Sequence, residues 1–279
     1  MSRKRTEFIV QAAFTVLLLF GALVTLYPFL YMVGTSFKGA TYIFKMPPEL
    51  IPASPTLENF VEAWASSNFG SYFRNSLVVT AISTTMTILL GSMMAYAFAR
   101  FNFFLKKPLY YLVIFFMMLP AMSLIVPQFI LATQFKLVGK LSGVIVLYIA
   151  QNIPFATFLL RGFIEQLPRE ILEASEIDGA SHWNVFWSIV LPMCKPALAT
   201  AAIIASLGAW DEYVWANIVL NTAKVRTLPV AIANFQGVHV TNWGLVFAAS
   251  LIAVAPIILF FIFLQKFVIK GIATGAVKG

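Results

Sequence analysis

Residues 77–99 read LVVTAISTTMTILLGSMMAYAFA, and the reading of this stretch decides the fold. It runs for 23 residues without a charged side chain or a proline. About 20 mostly apolar residues are enough for an α-helix to cross a bilayer. Hydrocarbon offers backbone N–H and C=O groups no partner, and a helix satisfies its own. The stretch is therefore expected to be a membrane-spanning helix.

Working outward, five more stretches pass the same test, at 8–31, 109–131, 141–160, 197–220 and 244–267. The whole chain agrees with them, being 60% hydrophobic and only 11% charged, against about 25% charged in an ordinary soluble domain. The alternating ten-residue pattern of a membrane β-barrel is absent, and continuous runs of Leu, Ile, Ala and Phe favour helices. The expectation is an all-α integral membrane bundle of about six transmembrane helices. The first stretch follows Arg3, Lys4 and Arg5 in the manner of a signal peptide. It is too long for one and lacks a convincing small-residue cleavage site, so it is read as an uncleaved helix.

Six crossings put both termini on one side of the membrane. Short cytoplasmic loops are enriched in Lys and Arg, and twelve of the 19 basic residues fall on the side of the N-terminus. Both termini are thus expected to be cytoplasmic. The formal charge of +8 is explained by loops held against anionic membrane lipid and calls for no nucleic acid.

The chain is read as one transmembrane domain, 1–279, with two long loops. The outer loop, 37–73, carries Pro47, Pro48, Pro52 and Pro55 and then an amphipathic stretch from Leu57 to Ala65, ordered enough to dock a partner. The inner loop, 161–195, holds start and stop signals for a helix of about ten residues. Pro168 suits the first helical position. Glu170 and Glu173 place negative charge where the helix dipole favours it, and Gly179 can adopt the left-handed conformation that ends a helix. Ser181 is then positioned to cap a second short helix running through His182, Trp183, Val185, Phe186 and Ile189 and ending before Pro192. One reading is a polar connector lying on the membrane surface. The other is a docking patch, in which exposed carboxylates and Trp183, Phe186 and Trp187 fit a protein groove.

Glu173-Ala174-Ser175, Gly179, Ile189, Leu191 and Pro192 resemble the EAA signature of ABC importer permeases. That signature is Glu-Ala-Ala, three residues, Gly, nine residues, Ile, any residue, Leu-Pro. The spacing matches throughout, and Ser175 stands where the second Ala is common. The resemblance implies that the stretch from Glu170 to Gly179 is a coupling helix seated in a cleft of a cytoplasmic ATPase, with Glu173 and Asp178 facing basic residues there.

Further matches are similar to the carbohydrate branch, and to the second permease of maltose-type importers. They are Pro47-Pro48-Glu-Leu-Ile-Pro52, Leu57-Glu-Asn-Phe60, Asn75-Ser-Leu-Val-Val-Thr80 and the ending Gly275-Ala-Val-Lys-Gly279. That branch commonly has Trp-Asn-Glu-aromatic in its fifth span, and here the run is Trp210-Asp211-Glu212-Tyr213. The resemblance implies an ATP-driven sugar importer in the inner membrane of a prokaryote. Its partners would be a second permease, two cytoplasmic ATPase subunits, an extracytoplasmic solute-binding protein and the sugar substrate. ATP and Mg would be bound by the ATPase, and this chain would carry no cofactor.

The residues themselves add to this. No Gly-x-x-x-x-Gly-Lys-Ser/Thr run occurs, so the chain lacks the usual phosphate cradle and energy enters through another subunit. Charge inside hydrocarbon costs a few kcal/mol, so Asp211 and Glu212 should face a cavity, a partner or the interface. Trp210, Asp211, Glu212 and Tyr213 supply the carboxylates and aromatic faces that hold a sugar. They also suit a structural polar cluster that bonds to the neighbouring permease or to helix ends. Gln151, Asn152 and Pro154 mark either a broken helix lining the path, to which Asn152 would contribute, or a packing kink.

His182, His239 and Cys194 have no metal-ligand spacing, and no catalytic or metal site is assigned. The alternatives are another cargo on the same scaffold, such as glycerol phosphate, an amino acid or a polyamine, or a polytopic membrane transferase using Asp211 and Glu212. Adjacent carboxylates on a helix point about 100° apart, which disfavours the transferase.

Overall fold

A computed structural model describes residues 3–39, 49–66, 68–222, 225–236 and 241–276. Pro47, Pro48, His239 and residues 277–279 lie outside them. Among the described residues the chain is helical and contains no strand. The helices are α1 (Arg3–Ser36), α2 (Glu58–Ala65), α3 (Phe69–Arg100), α4 (Lys106–Met118), α5 (Ile125–Gln134), α6 (Leu141–Glu165) and α7 (Arg169–Ile177). They continue as α8 (His182–Val185), α9 (Leu191–Met193), α10 (Lys195–Asp211), α11 (Val214–Val219), α12 (Leu228–Ala233) and α13 (Trp243–Ala276). A 3-10 turn, Ala121–Leu124, precedes α5, and a π-turn, Phe186–Val190, joins α8 to α9.

Four helices are long and apolar enough to cross a bilayer, over Val10–Ser36, Phe69–Arg100, Leu141–Glu165 and Trp243–Phe263. Two bent pairs pass the same test together, α4 with α5 at 99° and α8–α9 with α10 at 79°. Counting each pair as one crossing gives six, the number expected from the sequence.

Two expectations about continuity are corrected. The stretch 109–131 is not one helix. Leu119 turns extended (φ −76°, ψ 127°) before Pro120, and the chain restarts in another direction, as the ring of a proline disfavours the helical conformation in the residue before it. The stretch 197–220 also breaks. Glu212 is extended (φ −68°, ψ 119°), so α10 stops at Asp211 and α11 begins at Val214. By contrast the stretch 141–160 does not break. α6 runs through Pro154 for 25 residues, as helices packed in membrane proteins can.

The short helix of the inner loop is likewise longer than expected. Pro192 does not end it, because the π-turn before it, with Leu191 N–H donating to Phe186, widens the coil. The chain bends only after Met193, at Cys194.

By packing, the chain divides into two units, Met1–Phe69 with Ile232–Val254, and Gly70–Ala231 with Ala255–Gly279. In the first, α1 exposes apolar side chains along its length, from Phe8 to Leu30. The amphipathic stretch foreseen at Leu57–Ala65 forms α2, which buries Asn59 and Ala63 and exposes Val61 and Trp64. The Asn59 amide donates to the Ser36 carbonyl at 2.9 Å and the Lys38 carbonyl at 2.5 Å. Lys38, itself buried, donates to the Glu49 carbonyl at 2.6 Å. Residues 36–39 and 49–59 are thus strapped together, their carbonyls at Ser36, Lys38 and Glu49 satisfied by side chains.

In the second unit, side-chain hydrogen bonds tie the two ends of α3 to different parts of the chain. At its last residue, Arg100 donates to the carbonyls of Ile164 (2.6 Å) and Leu167 (3.2 Å), at and just beyond the end of α6. At its first turns, Asn75 donates to Arg226 O (3.0 Å) and Ser76 accepts from Leu228 N–H (2.8 Å), both beyond α11. Gly139, just before α6, donates to Val219 O of α11 at 2.8 Å. The ends of α3 and α6 therefore share one face, and the starts of α3 and α6 share the other with α11. Such threading requires the bent pair α4–α5 to be a single crossing.

The loop 166–194 and the polar corner at Glu212

The loop 166–194 stands on an apolar base. Leu172, Val185, Phe186 and Val190 are buried with Tyr96, Leu160, Ile164 and Cys194, and Ile189 and Leu191 pack against them. Aromatic contacts continue this base, with Tyr96 centred 5.4 Å from Phe186 and Phe101 5.0 Å from His182. Phe186, expected on the exposed patch, belongs instead to the core at 1% exposure. The π-turn rotates it inward and leaves Trp183 and Trp187 at the surface, 56% and 44% exposed.

α7 turns Leu172 and Ser175 toward this base and Glu170, Ile171, Glu173, Ala174 and Ile177 outward. The Ser175 hydroxyl donates to the Leu172 carbonyl at 2.6 Å, so the departure from Ala leaves no buried polar group unpaired. The helix closes as its sequence foretells. Gly179 has φ +81°, Ala180 N–H donates to Ser175 O and Asp178 N–H to Ala174 O, each at 3.0 Å. Those bonds satisfy the last carbonyls of the helix and need a left-handed residue between them. A Cβ at Gly179 would meet no atom within 4 Å, so the demand there is conformational and not spatial. Ser181 caps the next helix by accepting from Asn184 N–H at 3.3 Å.

The second polar group lies where α10 gives way to α11. Glu212 accepts from Trp215 N–H (2.7 Å), Ala216 N–H (3.0 Å) and the Tyr148 hydroxyl (2.5 Å). Its carboxylate caps the first turn of α11. Tyr148, which the sequence did not single out, is buried at 2% exposure in a core with Val144, Trp215 and Val219.

The five residues assigned to a substrate path lie in different surroundings. Trp210 lines a cavity of about 350 Å³ with Thr80, Thr84, Ser206, Pro256 and Phe260, and Asp211 and Tyr213 are exposed beside it in the chain. Asn152 is half-buried, its amide donating to the Tyr148 carbonyl at 2.8 Å. Its neighbour Gln151 instead lines a second cavity of about 590 Å³ with Gln128, Pro154, Met94 and Phe116, at the break between α4 and α5. The signal for Gln128 was weak, a lone amide in an apolar run. Among the described residues no three His, Cys, Asp or Glu side chains are placed to hold a metal ion.

Comparison with known proteins sets this geometry in a family. A profile described as "Binding-protein-dependent transport system inner membrane component" matches residues 87–274, the stretch that holds the loop 166–194 and the corner at Glu212. The melibiose/raffinose/stachyose import permease protein MelC of Bacillus subtilis is 37% identical over 254 residues, covering 90% of this chain and 91% of that one. The arabinooligosaccharides transport system permease protein AraQ of Halalkalibacterium halodurans is 30% identical over 280 residues, covering 99% and 100%. In structure, the chain superposes on one from a bacterial ABC transporter involved in the import of the acidic polysaccharide alginate. The TM-score is 0.81 at 21% identity over 95% of this chain and 98% of that one, a likeness of fold. The chain belongs to the inner-membrane components of binding-protein-dependent transport systems, the permeases of ABC importers.

Proposed function

We propose that this permease imports an oligosaccharide, with both termini cytoplasmic and α7 as the helix that couples it to an ATPase. The observation that carries the coupling role is the form of α7. It is a short helix closed by a left-handed glycine, rooted in the core by Leu172 and presenting Glu170, Glu173, Ile177 and Asp178 to a partner. Such a projection transmits a push, because it moves with the helices that bury its base. The excess of basic residues toward the N-terminal side supports the orientation.

The substrate class rests on the sugar-named relatives together with the cavities. A helix break at membrane depth is tolerated where it is buried in protein or lines a water-filled cavity, and the break at Pro120 opens beside Gln128 and Gln151. Amides donate and accept hydrogen bonds to hydroxyls, and Trp210 offers an aromatic face. Gln128 and Gln151 at that cavity are this chain's share of the path, and Trp210 lines the other cavity. A second permease supplies the rest, a solute-binding protein delivers the sugar to the loop 37–73, and two ATPase subunits bind ATP and Mg.

The mechanism is alternating access. ATP-driven closure of the ATPases displaces α7, and the helices tied to it shift between two arrangements that ATP and the binding protein favour differently. This chain performs no covalent chemistry. The test is reconstitution of the complex in liposomes with labelled oligosaccharides. ATP- and binding-protein-dependent accumulation supports the reading, and accumulation of an amino acid or polyamine but of no sugar overturns the substrate class.

A further inference from the structure

We infer that Glu212 is a positioning residue for transport, which through Tyr148 fastens α11 to α6 so that α6, the coupling loop and α10 move as one closed frame. The inference rests on the coupling role proposed for α7. Its geometry is independent of that role.

α6 and α10 are joined in sequence only at one end, through α7, α8 and α9. A hairpin joined at one end transmits a push poorly, since its far ends can splay. The far end here is closed by α11, and each closing contact runs to α6 or to the turn before it. Tyr148 of α6 donates to the Glu212 carboxylate. The Trp215 indole donates to the Gly143 carbonyl at 3.4 Å, and Gly139 N–H donates to the Val219 carbonyl at 2.8 Å. Gly143 fits so closely that a Cβ there would lie 2.6 Å from the Leu137 carbonyl oxygen and 3.0 Å from Val219 Cγ1. Midway, Gly208 of α10 faces Asn152 of α6, its Cβ position 3.9 Å from the amide oxygen.

Within this frame the chain changes direction at Glu212, and the carboxylate is what fixes the corner. One side chain accepts from two backbone N–H groups of α11 and from a hydroxyl on α6. A carboxylate suits three donors better than an amide, which would turn its own NH₂ toward one of them. Hydrogen bonds to an ionised acceptor are about twice as strong as neutral ones. Breaking the Tyr148 link leaves α11 capped but no longer held to α6 by that bond.

The experiment compares Tyr148→Phe, Glu212→Gln and the double variant in the reconstituted complex. It measures oligosaccharide uptake, binding-protein-stimulated ATP hydrolysis and the thermal midpoint of the purified complex. Expected are near-normal hydrolysis and a fall in uptake per ATP of about tenfold, the equilibrium factor of one hydrogen bond to a charged group. The double variant should be no worse than Glu212→Gln, because the two residues form one link. The inference is overturned if uptake per ATP stays normal in Tyr148→Phe and Glu212→Gln. It is equally overturned if uptake and hydrolysis fall in proportion with the thermal midpoint, which marks a merely structural role. Absence of ATP-dependent uptake in the unaltered complex would instead refute the importer reading on which the inference rests.

Discussion

The guanidinium of Arg100, at the last residue of α3, donates a 2.6 Å hydrogen bond to the carbonyl of Ile164 in the last turn of α6. Both residues sit at the base of the loop 166–194, and the same guanidinium reaches the Leu167 carbonyl at 3.2 Å. A helix end leaves its last carbonyls without backbone partners. Here the Ile164 carbonyl accepts from Leu167 N–H at 3.3 Å, and a cation from a neighbouring helix adds a donor where the favourable end of the α6 dipole lies. The loop that begins at Gln166 is therefore tied to two helices at once.

Arg100→Met keeps much of the apolar stem and removes the donors. It is expected to destabilise the protein by about 1.5–3 kcal/mol, the contribution of a hydrogen bond from a charged donor. A lowered thermal midpoint in detergent checks this. Lys, with one cationic nitrogen in place of a planar fork, should restore only part of the loss.

Gly179→Leu places a side chain at φ +81° in open space. The strain of about 1–2 kcal/mol belongs to the backbone alone, so the protein should fold and reach the membrane while uptake per ATP falls. Gly179→Asn should be milder, since Asn tolerates the left-handed region. Uptake, ATP hydrolysis and membrane abundance of the two variants are the measurements, and equal effects of Leu and Asn would contradict the account.

Gly244→Ala would bring a Cβ to 2.6 Å from the Asn59 amide nitrogen. Asn59 would have to leave the carbonyls of Ser36 and Lys38, at a cost of about 1–3 kcal/mol. The contact of α2 with Ser36 and Lys38 should loosen, seen as earlier proteolysis within 49–66. Stimulation of hydrolysis by the binding protein should fall more than basal hydrolysis.

Gln151→Leu and Gln128→Leu each remove an amide from the cavity at the α4–α5 break. Uptake is expected to need several-fold more loaded binding protein for half-maximal rate, with coupling per ATP unchanged. A hydrogen bond to a neutral group is worth about 1 kcal/mol. Transport kinetics over a range of sugar-loaded binding protein check it.

Much of this was legible in the sequence, for identifiable reasons. Apolar runs of bilayer length report helices directly, and Gly179 and Ser181 marked their turns because each performs a local backbone task. What escaped were features set by packing between distant segments. The break at Pro120 and the continuity at Pro154 differ although both are prolines in apolar runs, since the surroundings decide whether a freed carbonyl is tolerated. Phe186 was read as exposed because a π-turn shifts the helical register, which no 3.6-residue pattern reveals. Tyr148 was invisible for a similar reason, as its partner Glu212 lies 64 positions away.

The most direct test of the coupling role is photocrosslinking from α7 in native membranes. Ile177, 87% exposed beside Asp178 and Gly179, is replaced by a photoreactive phenylalanine, and the adduct is identified by mass spectrometry. The account predicts a crosslink to a nucleotide-hydrolysing subunit that changes in yield when ATP is added. Crosslinks to lipid alone, at normal abundance of the assembled complex, would contradict it.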